Sequence, residues 1–168
     1  MSNDSADSTN PNLIVLHNNL YVIWNDNSTK NYNVMIKRSS DGGITYSQPI
    51  NLSNTTNSDS INPQLAAIGN DKLFVVWQGN TNGQFDVFLS KSSDGGITFS
   101  QPINLSNDPS DSINPNLIVV HNNLFVIWND NITKNYNVMI KRSSDGGITF
   151  SQPINCLLYT SPSPRDRS

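Results

Sequence analysis

Three segments hold side chains whose types and spacing could do chemistry: WNDNSTKNYN at 24–33, WQGNTNGQFD at 77–86 and WNDNITKNYN at 128–137. They bring together Trp24, Asp26, Lys30 and Tyr32, then Trp77 and Gln78, then Trp128, Asp130, Lys134 and Tyr136. Indole and phenol rings stack on flat faces, while Asn, Gln, Asp and Lys bond hydroxyls. The mix suits a hydroxyl-rich ligand such as a sugar. The competing reading makes each Trp core at a strand end and the Asn residues turn formers. A second set recurs as Ser-x-Asp-x-Gly-x-Thr-aromatic: Ser39, Asp41, Gly43, Thr45 and Tyr46; Ser92, Asp94, Gly96, Thr98 and Phe99; Ser143, Asp145, Gly147, Thr149 and Phe150. An Asp in such a turn accepts bonds from N–H groups that the turn leaves unpaired. Gly reaches positive φ freely. Repetition at one place per unit favours a turn staple over a catalytic group, because a reaction needs its acid once per site.

The elements that must position these groups repeat. Trp24, Trp77 and Trp128 mark three units, and the Asn-Pro pair at Pro11, Pro63 and Pro115 keeps step with them. Over 10–51 and 114–155 two units differ at four positions, Leu16/Val120, Tyr21/Phe125, Ser28/Ile132 and Tyr46/Phe150. The expected organisation is a connector at 1–9, a unit at 10–53, connector and unit at 54–106, and connector and unit at 107–155. Because "SND" at 2–4 matches "SND" at 106–108, the chain is expected to begin inside a connector. Residues 156–168, CLLYTSPSPRDRS, break the pattern. Through residue 166 they resemble the translation of a sequencing-library adapter and are set aside as an artefactual tail.

Each unit reads as four short strands, in the second near 64–68, 72–78, 85–92 and 98–103, separated by polar Gly/Asn turns. LFVVW at 73–77 is apolar on both alternating faces, so both faces need cover. Radially stacked propeller blades provide it.

The acidic turn, present in all three units, resembles the Asp-box or BNR repeat of sialidases and related propellers. The resemblance covers 10–155 and implies an all-β fold: a partial β-propeller of three four-stranded antiparallel blades, half of a six-bladed parent. WD and kelch repeats fit less well, lacking the GH…WD pair and a strand-ending Gly doublet. The resemblance also implies what sialidase catalysis needs: three arginines clamping a carboxylate, a Tyr–Glu pair and an Asp acid. This chain departs from that pattern. Outside the tail its arginines are Arg38 and Arg142, both directly before the acidic turn, and the chain has no Glu. Asp26 or Asp130 as acid and Tyr32 or Tyr136 as nucleophile are each duplicated. The expectation is therefore a non-catalytic recognition or structural scaffold, glycan-binding in character. The alternative is a fragment of an exo-α-sialidase-type glycoside hydrolase.

A net charge of −3 gives no footprint for nucleic acid or anionic lipid. No apolar run approaches the ~20 residues of a membrane span. MSNDSADSTN does not read as a signal peptide, yet an exported or cell-surface protein is expected; Asn-x-Ser/Thr triplets at Asn3, Asn27, Asn51, Asn54, Asn104 and Asn131 would suit glycosylation, but the Asn-rich composition produces such triplets by chance, which is the favoured reading. No cofactor or metal site is expected. The "NDN" segments carry oxygen ligands for calcium but not the carboxylate number of a dedicated site. His17 and His121 are read as surface-turn residues. An isolated half-ring exposes two blade faces, so self-association is a further expectation.

Overall fold

The computed structural model describes residues 6–80 and 83–157. The expectations for the first connector at 1–5 and for the tail at 158–168 lie outside the described residues. Twelve strands form three four-stranded antiparallel sheets, and there is no helix among the described residues. Blade 1 holds β1 (Ser8–Leu16), β2 (Asn19–Asp26), β3 (Asn33–Ser39) and β4 (Ile50–Asn51). Blade 2 holds β5 (Ser60–Ile68), β6 (Lys72–Asn80), β7 (Phe85–Ser92) and β8 (Ile103–Asn104). Blade 3 holds β9 (Ser112–Val120), β10 (Asn123–Asp130), β11 (Asn137–Ser143) and β12 (Ile154–Asn155). Strands are neighbours in chain order within every sheet. The expected all-β blade architecture is the one found.

Two boundaries differ from the sequence expectation. The first strand of the second unit starts at Ser60 and runs through Asn62-Pro63, where the pairing with β6 shifts register between Ile61 and Gln64. A bulge absorbs the proline that would otherwise interrupt the ladder. The fourth strand is only Ile103–Asn104. Upstream of it the Thr98 N–H is taken by the Asp94 carboxylate, and Pro102 has no N–H to pair.

The core lies between blades. Tyr21, Ile23, Val34 and Ile36 of blade 1 pack with Leu73, Val75 and Trp77 of blade 2. Phe74, Val76, Val87 and Leu89, on the opposite face of blade 2, pack with Leu124, Val126 and Trp128 of blade 3. From Leu73 through Gly79 every residue of β6 is buried. Each such large side chain contributes about 1.5–3 kcal/mol on burial. β2 and β10 differ in sequence by one residue but bury opposite faces, because blade 2 covers the Tyr21 and Ile23 face of β2 and the Leu124, Val126 and Trp128 face of β10.

Both joints place an aromatic ring of one blade on a glycine of the next. A Cβ at Gly96 would stand 2.9 Å from Tyr21 Cε1, and one at Gly147 would stand 2.7 Å from Phe74 Cε1. Polar bonds pin the same joints. The Tyr21 hydroxyl donates to the Gly95 carbonyl at 3.0 Å, and Lys91 Nζ donates to the Gly147 carbonyl at 2.8 Å.

Gly147→Ala, with φ +77° and no room, should cost about 3 kcal/mol in urea unfolding. Gly146→Ala, at φ +71° with only the flexible Lys72 Nζ at 3.4 Å, should cost about 1 kcal/mol. Equal losses would show that ring-on-glycine packing does not set the joint.

Candidate functional site

Hydrogen bonds sort the loops onto two ends. At one end the acidic turns meet the turns between first and second strands: Gly42 N–H donates to Asn18 O and Gly95 N–H to Asp71 O. At the other end the loops between second and third strands meet the connectors. There Ser60 N–H donates to Tyr32 O at 2.7 Å, Tyr32 N–H to Asp59 Oδ1, and Phe85 N–H to Asp111 Oδ1.

In the acidic turn of blade 2, Asp94 Oδ1 accepts Ile97 N–H at 3.1 Å and Thr98 N–H at 3.0 Å, and Oδ2 accepts the Thr98 hydroxyl. The Ser92 hydroxyl donates to Asp94 Oδ1 and accepts Gly96 N–H at 2.9 Å. Asp41 and Asp145 hold the same partners. The Thr45 hydroxyl and N–H, helped by Ser39, lower Asp41 to about 2. The matching threonine and serine groups hold Asp94 and Asp145 well below the usual carboxylate range. Phe99 and Phe150 pack against the two inter-blade cores, whereas Tyr46 is 44% exposed on the uncovered face of blade 1. His17 and His121 lie exposed in left-handed turns, φ 54° and 57°, where blade 2 has Gly69 at φ 61°.

The sequence-derived ligand rim does not assemble as one surface. Trp77 and Trp128 are buried in the two cores, and Trp77 stacks on Phe88. Trp24 is half-buried on the open face of blade 1, with Lys37 Nζ 5.9 Å above its ring. Asp130 accepts the Ser112 hydroxyl, the Trp128 indole N–H and Ile132 N–H, and the single Ser110 hydroxyl lies within reach of both Asp130 and Asp108. Asp26 accepts Ser8, Trp24 and Ser28 N–H. Burial opposes ionisation of both carboxyls, but these bonds outweigh it and hold both below the ordinary value. Burial and the neighbouring Asp130 carboxyl raise Asp108, against the Ser110 hydroxyl and N–H that lower it. Lys30 and Lys134 remain exposed in left-handed turns, φ 78° and 65°, and Tyr136 is 52% exposed. Tyr32 is half-buried, and Gln78 is 5% exposed.

Trp24 lines a cavity of about 470 Å³ and Trp128 and Asp130 one of about 350 Å³, and a further concave site lies along the first strands. β5 touches both β1 and β9, so the first strands form an inner row. Along it Asn10, Asn62 and Asn114 each sit at left-handed φ, 50°, 56° and 54°, immediately before proline. Asn10 Nδ2 donates to Asn62 Oδ1 at 2.9 Å, and Asn62 Nδ2 lies 3.5 Å from Asn114 Oδ1. One layer along, Asn12 Nδ2 donates to Gln64 Oε1 at 2.9 Å. Gln78 Oε1 ties the row together, accepting Asn62 Nδ2 at 3.0 Å and Asn114 N–H at 2.8 Å. The tripeptides 10–12, 62–64 and 114–116 line an open cavity of about 420 Å³. Its lining holds amides and prolines and no ionisable side chain. The sequence signal was present in the constant Asn-Pro spacing, but periodicity alone does not say that the pairs share an axis.

No family model matches the chain, and no curated protein matches it in sequence. Solved structures do match in fold. The GH93 α-L-arabinofuranosidase of Fusarium graminearum superposes with a TM-score of 0.70 at 16% identity, over 90% of this chain and 49% of that one. Penicillium chrysogenum α-L-arabinanase gives 0.68 at 17% identity, over 90% of this chain and 50% of that one. Trypanosoma rangeli sialidase gives 0.63 at 18% identity, over 86% of this chain and 30% of that one. At such identities the likeness concerns the fold: three blades of a β-propeller. The chain spans half or less of the length of these structures.

The lowered carboxyl values predict a pH dependence. A folded-state value below the unfolded one, about 3.9 for Asp, contributes stability that is present above pH 4 and lost as pH falls toward 2. Thermal melts of Asp94→Asn should start lower than the parent at pH 7 and fall less between pH 4 and pH 2. Parallel curves for the two proteins would show that the turn carboxylate is not a source of acid sensitivity.

Proposed function

We propose that this propeller segment is a non-catalytic recognition or structural scaffold of the Asp-box type. Its ligand is a glycan of an extracellular or cell-surface partner, met at the axial amide row and the neighbouring loops. The observation that carries this reading is the row itself. Asn10, Asn12, Asn62, Gln64 and Asn114 present paired donors and acceptors around an open cavity with no charged group to demand a charged ligand. Hydroxyls, which both donate and accept, match such a surface. Left-handed, pre-proline asparagines on a bulge are conformations that cluster at functional sites. Supporting it from outside, the structures with the same fold bind sugars, among them an arabinofuranosidase described in complex with arabinobiose.

A second reading is a fragment of a glycoside hydrolase of exo-sialidase type. One observation favours it: the carboxyls of Asp108 and Asp130 line one cavity of about 350 Å³. Against it, Asp130 is held by three structural donors, the Ser112 hydroxyl, the Trp128 indole N–H and Ile132 N–H.

Calorimetric titration with arabinobiose and with sialyllactose tests both. Saturable binding of either sugar without turnover is expected. The double variant Asn62→Gly, Asn114→Gly keeps the positive φ and removes two amides. It should weaken binding about tenfold, at roughly 1 kcal/mol for the hydrogen bonds lost. Unchanged affinity in that variant would remove the axial row from the reading. Release of free sugar by the parent chain would favour the hydrolase.

A further inference from the structure

Among the described residues Asn-x-Ser/Thr triplets start at Asn27, Asn51, Asn54, Asn104 and Asn131. N-linked glycosylation needs two groups in a triplet: an asparagine amide open to solvent, and a free hydroxyl two residues on for the transferring enzyme to bind. The fold treats these triplets differently.

At Asn27, Asn51, Asn104 and Asn131 the hydroxyl is already bonded into the blade. Thr29 and Thr133 donate to the carbonyls of Asn31 and Asn135, and each accepts the side-chain amide of the asparagine that opens the next strand, Asn33 or Asn137. Ser53 donates to Asn33 Oδ1 at 2.9 Å and accepts Val34 N–H. Ser106 is buried, donates to Asp86 Oδ1 at 2.8 Å and accepts Val87 N–H. The asparagines are engaged as well. Asn27 and Asn131 accept the N–H groups of Asp7 and Asp111 on Oδ1, and Asn51 and Asn104 accept those of Asn54 and Asn107. These side chains build turns, as an Asn-rich composition would supply them by chance.

Asn54-Thr55-Thr56 is different. It lies in the connector between blades 1 and 2, which is one residue longer than the next connector, where Asn107-Asp108-Pro109 stands instead. Thr55 turns inward: its N–H donates to Asn33 Oδ1 at 2.8 Å and its hydroxyl to Ser58 O at 2.9 Å. Asn54 and Thr56 on either side are exposed, and neither side chain is hydrogen-bonded among the described residues. Asn54 stands at φ 49°, its N–H fixed by Asn51. The connector leaves β4, at the opposite edge of the sheet from β1 and the axial row.

We propose that Asn54 is an acceptor for an N-linked glycan, and that the fold withholds the other four triplets. Asn54 Nδ2 attacks the anomeric carbon of a lipid-diphosphate-linked oligosaccharide. The carbon–oxygen bond to the diphosphate breaks, the lipid diphosphate leaves with the electron pair, and the amide gives up one proton. No hydrogen bond of the connector is lost, and the glycan stands on the outer rim, clear of the axial cavity. The proposal rests on the extracellular setting of the reading above, and not on its ligand site.

The purified full chain, incubated with a single-subunit oligosaccharyltransferase and its lipid-linked donor, tests this by peptide mass mapping. Asn54 should be occupied at about ten times the level of Asn27, Asn51, Asn104 or Asn131, since a bonded hydroxyl is reached only through local opening. Free peptides 53–58 and 129–135, which lack the fold, should be modified alike. Thr56→Ala leaves Asn54 in place and should abolish its modification with unchanged far-ultraviolet circular dichroism. An unmodified Asn54 in the folded chain when peptide 53–58 is modified, or equal occupancy of Asn54 and Asn131 in that chain, would overturn the proposal. Enzyme and donor are supplied, so neither outcome depends on export or on sugar binding, which the calorimetric titration reads separately.

Discussion

The rest of the structure depends on a sheet that is apolar on both faces. From Leu73 β6 runs Leu-Phe-Val-Val-Trp with no polar side chain until Gln78, and water on either face would expose several large side chains. Antiparallel sheets more commonly bury one face and solvate the other. Here the two cores are the two surfaces of a single sheet, so the three blades hold together only as a stack. This explains why the chain has little ionised surface but dense Asn, Ser and Thr. Polar groups are confined to strand ends, turns and the inner row, where they can bond to backbone and to each other.

Stacking sheets this closely needs turns that do not intrude on the joint. The acidic turn meets that need by satisfying its own N–H groups with one carboxylate and two hydroxyls, so its glycine backbone can lie flat under an aromatic ring. The same economy leaves the fourth strand only two residues long. At the opposite end the connectors take over the role of the turn. Asp59 and Asp111 accept the N–H groups that open β3 and β7, and Asp26 and Asp130 tie β2 and β10 to the residues before and after them. Carboxylates in this protein are therefore mostly structural acceptors, and low values for the acidic turns follow from the donors around them.

Strand identity, blade count and the two-ended sorting of loops were legible in the sequence, because period-two patterns and turn residues are local signals. The burial of Asp130 and Gln78 was not. Those side chains lie in loops or at strand ends by sequence, and only the neighbouring blade covers them. The inner row was invisible for a related reason. Asn10, Asn62 and Asn114 are some fifty residues apart, and their hydrogen bonds exist because three first strands converge on one axis. A repeat announces that its copies are alike but not which of their edges meet.

The near-identity of units one and three turns the protein into its own control. Trp24 and Trp128 share every flanking residue from 22 to 27 and from 126 to 131, yet one is half-exposed and the other 2% exposed. Intrinsic preference is held constant, so the difference comes from the blade beside each. One of the four substitutions follows the same logic. Tyr46 keeps its hydroxyl on the open face of blade 1, and Phe150 gives it up inside a joint. Ser28 and Ile132 are both exposed, and nothing in the structure explains that exchange. A side chain in this fold therefore acquires its role from the sheet it meets. The inner row, which meets no sheet and keeps its amides in every unit, is the part of the repeat whose composition packing does not dictate.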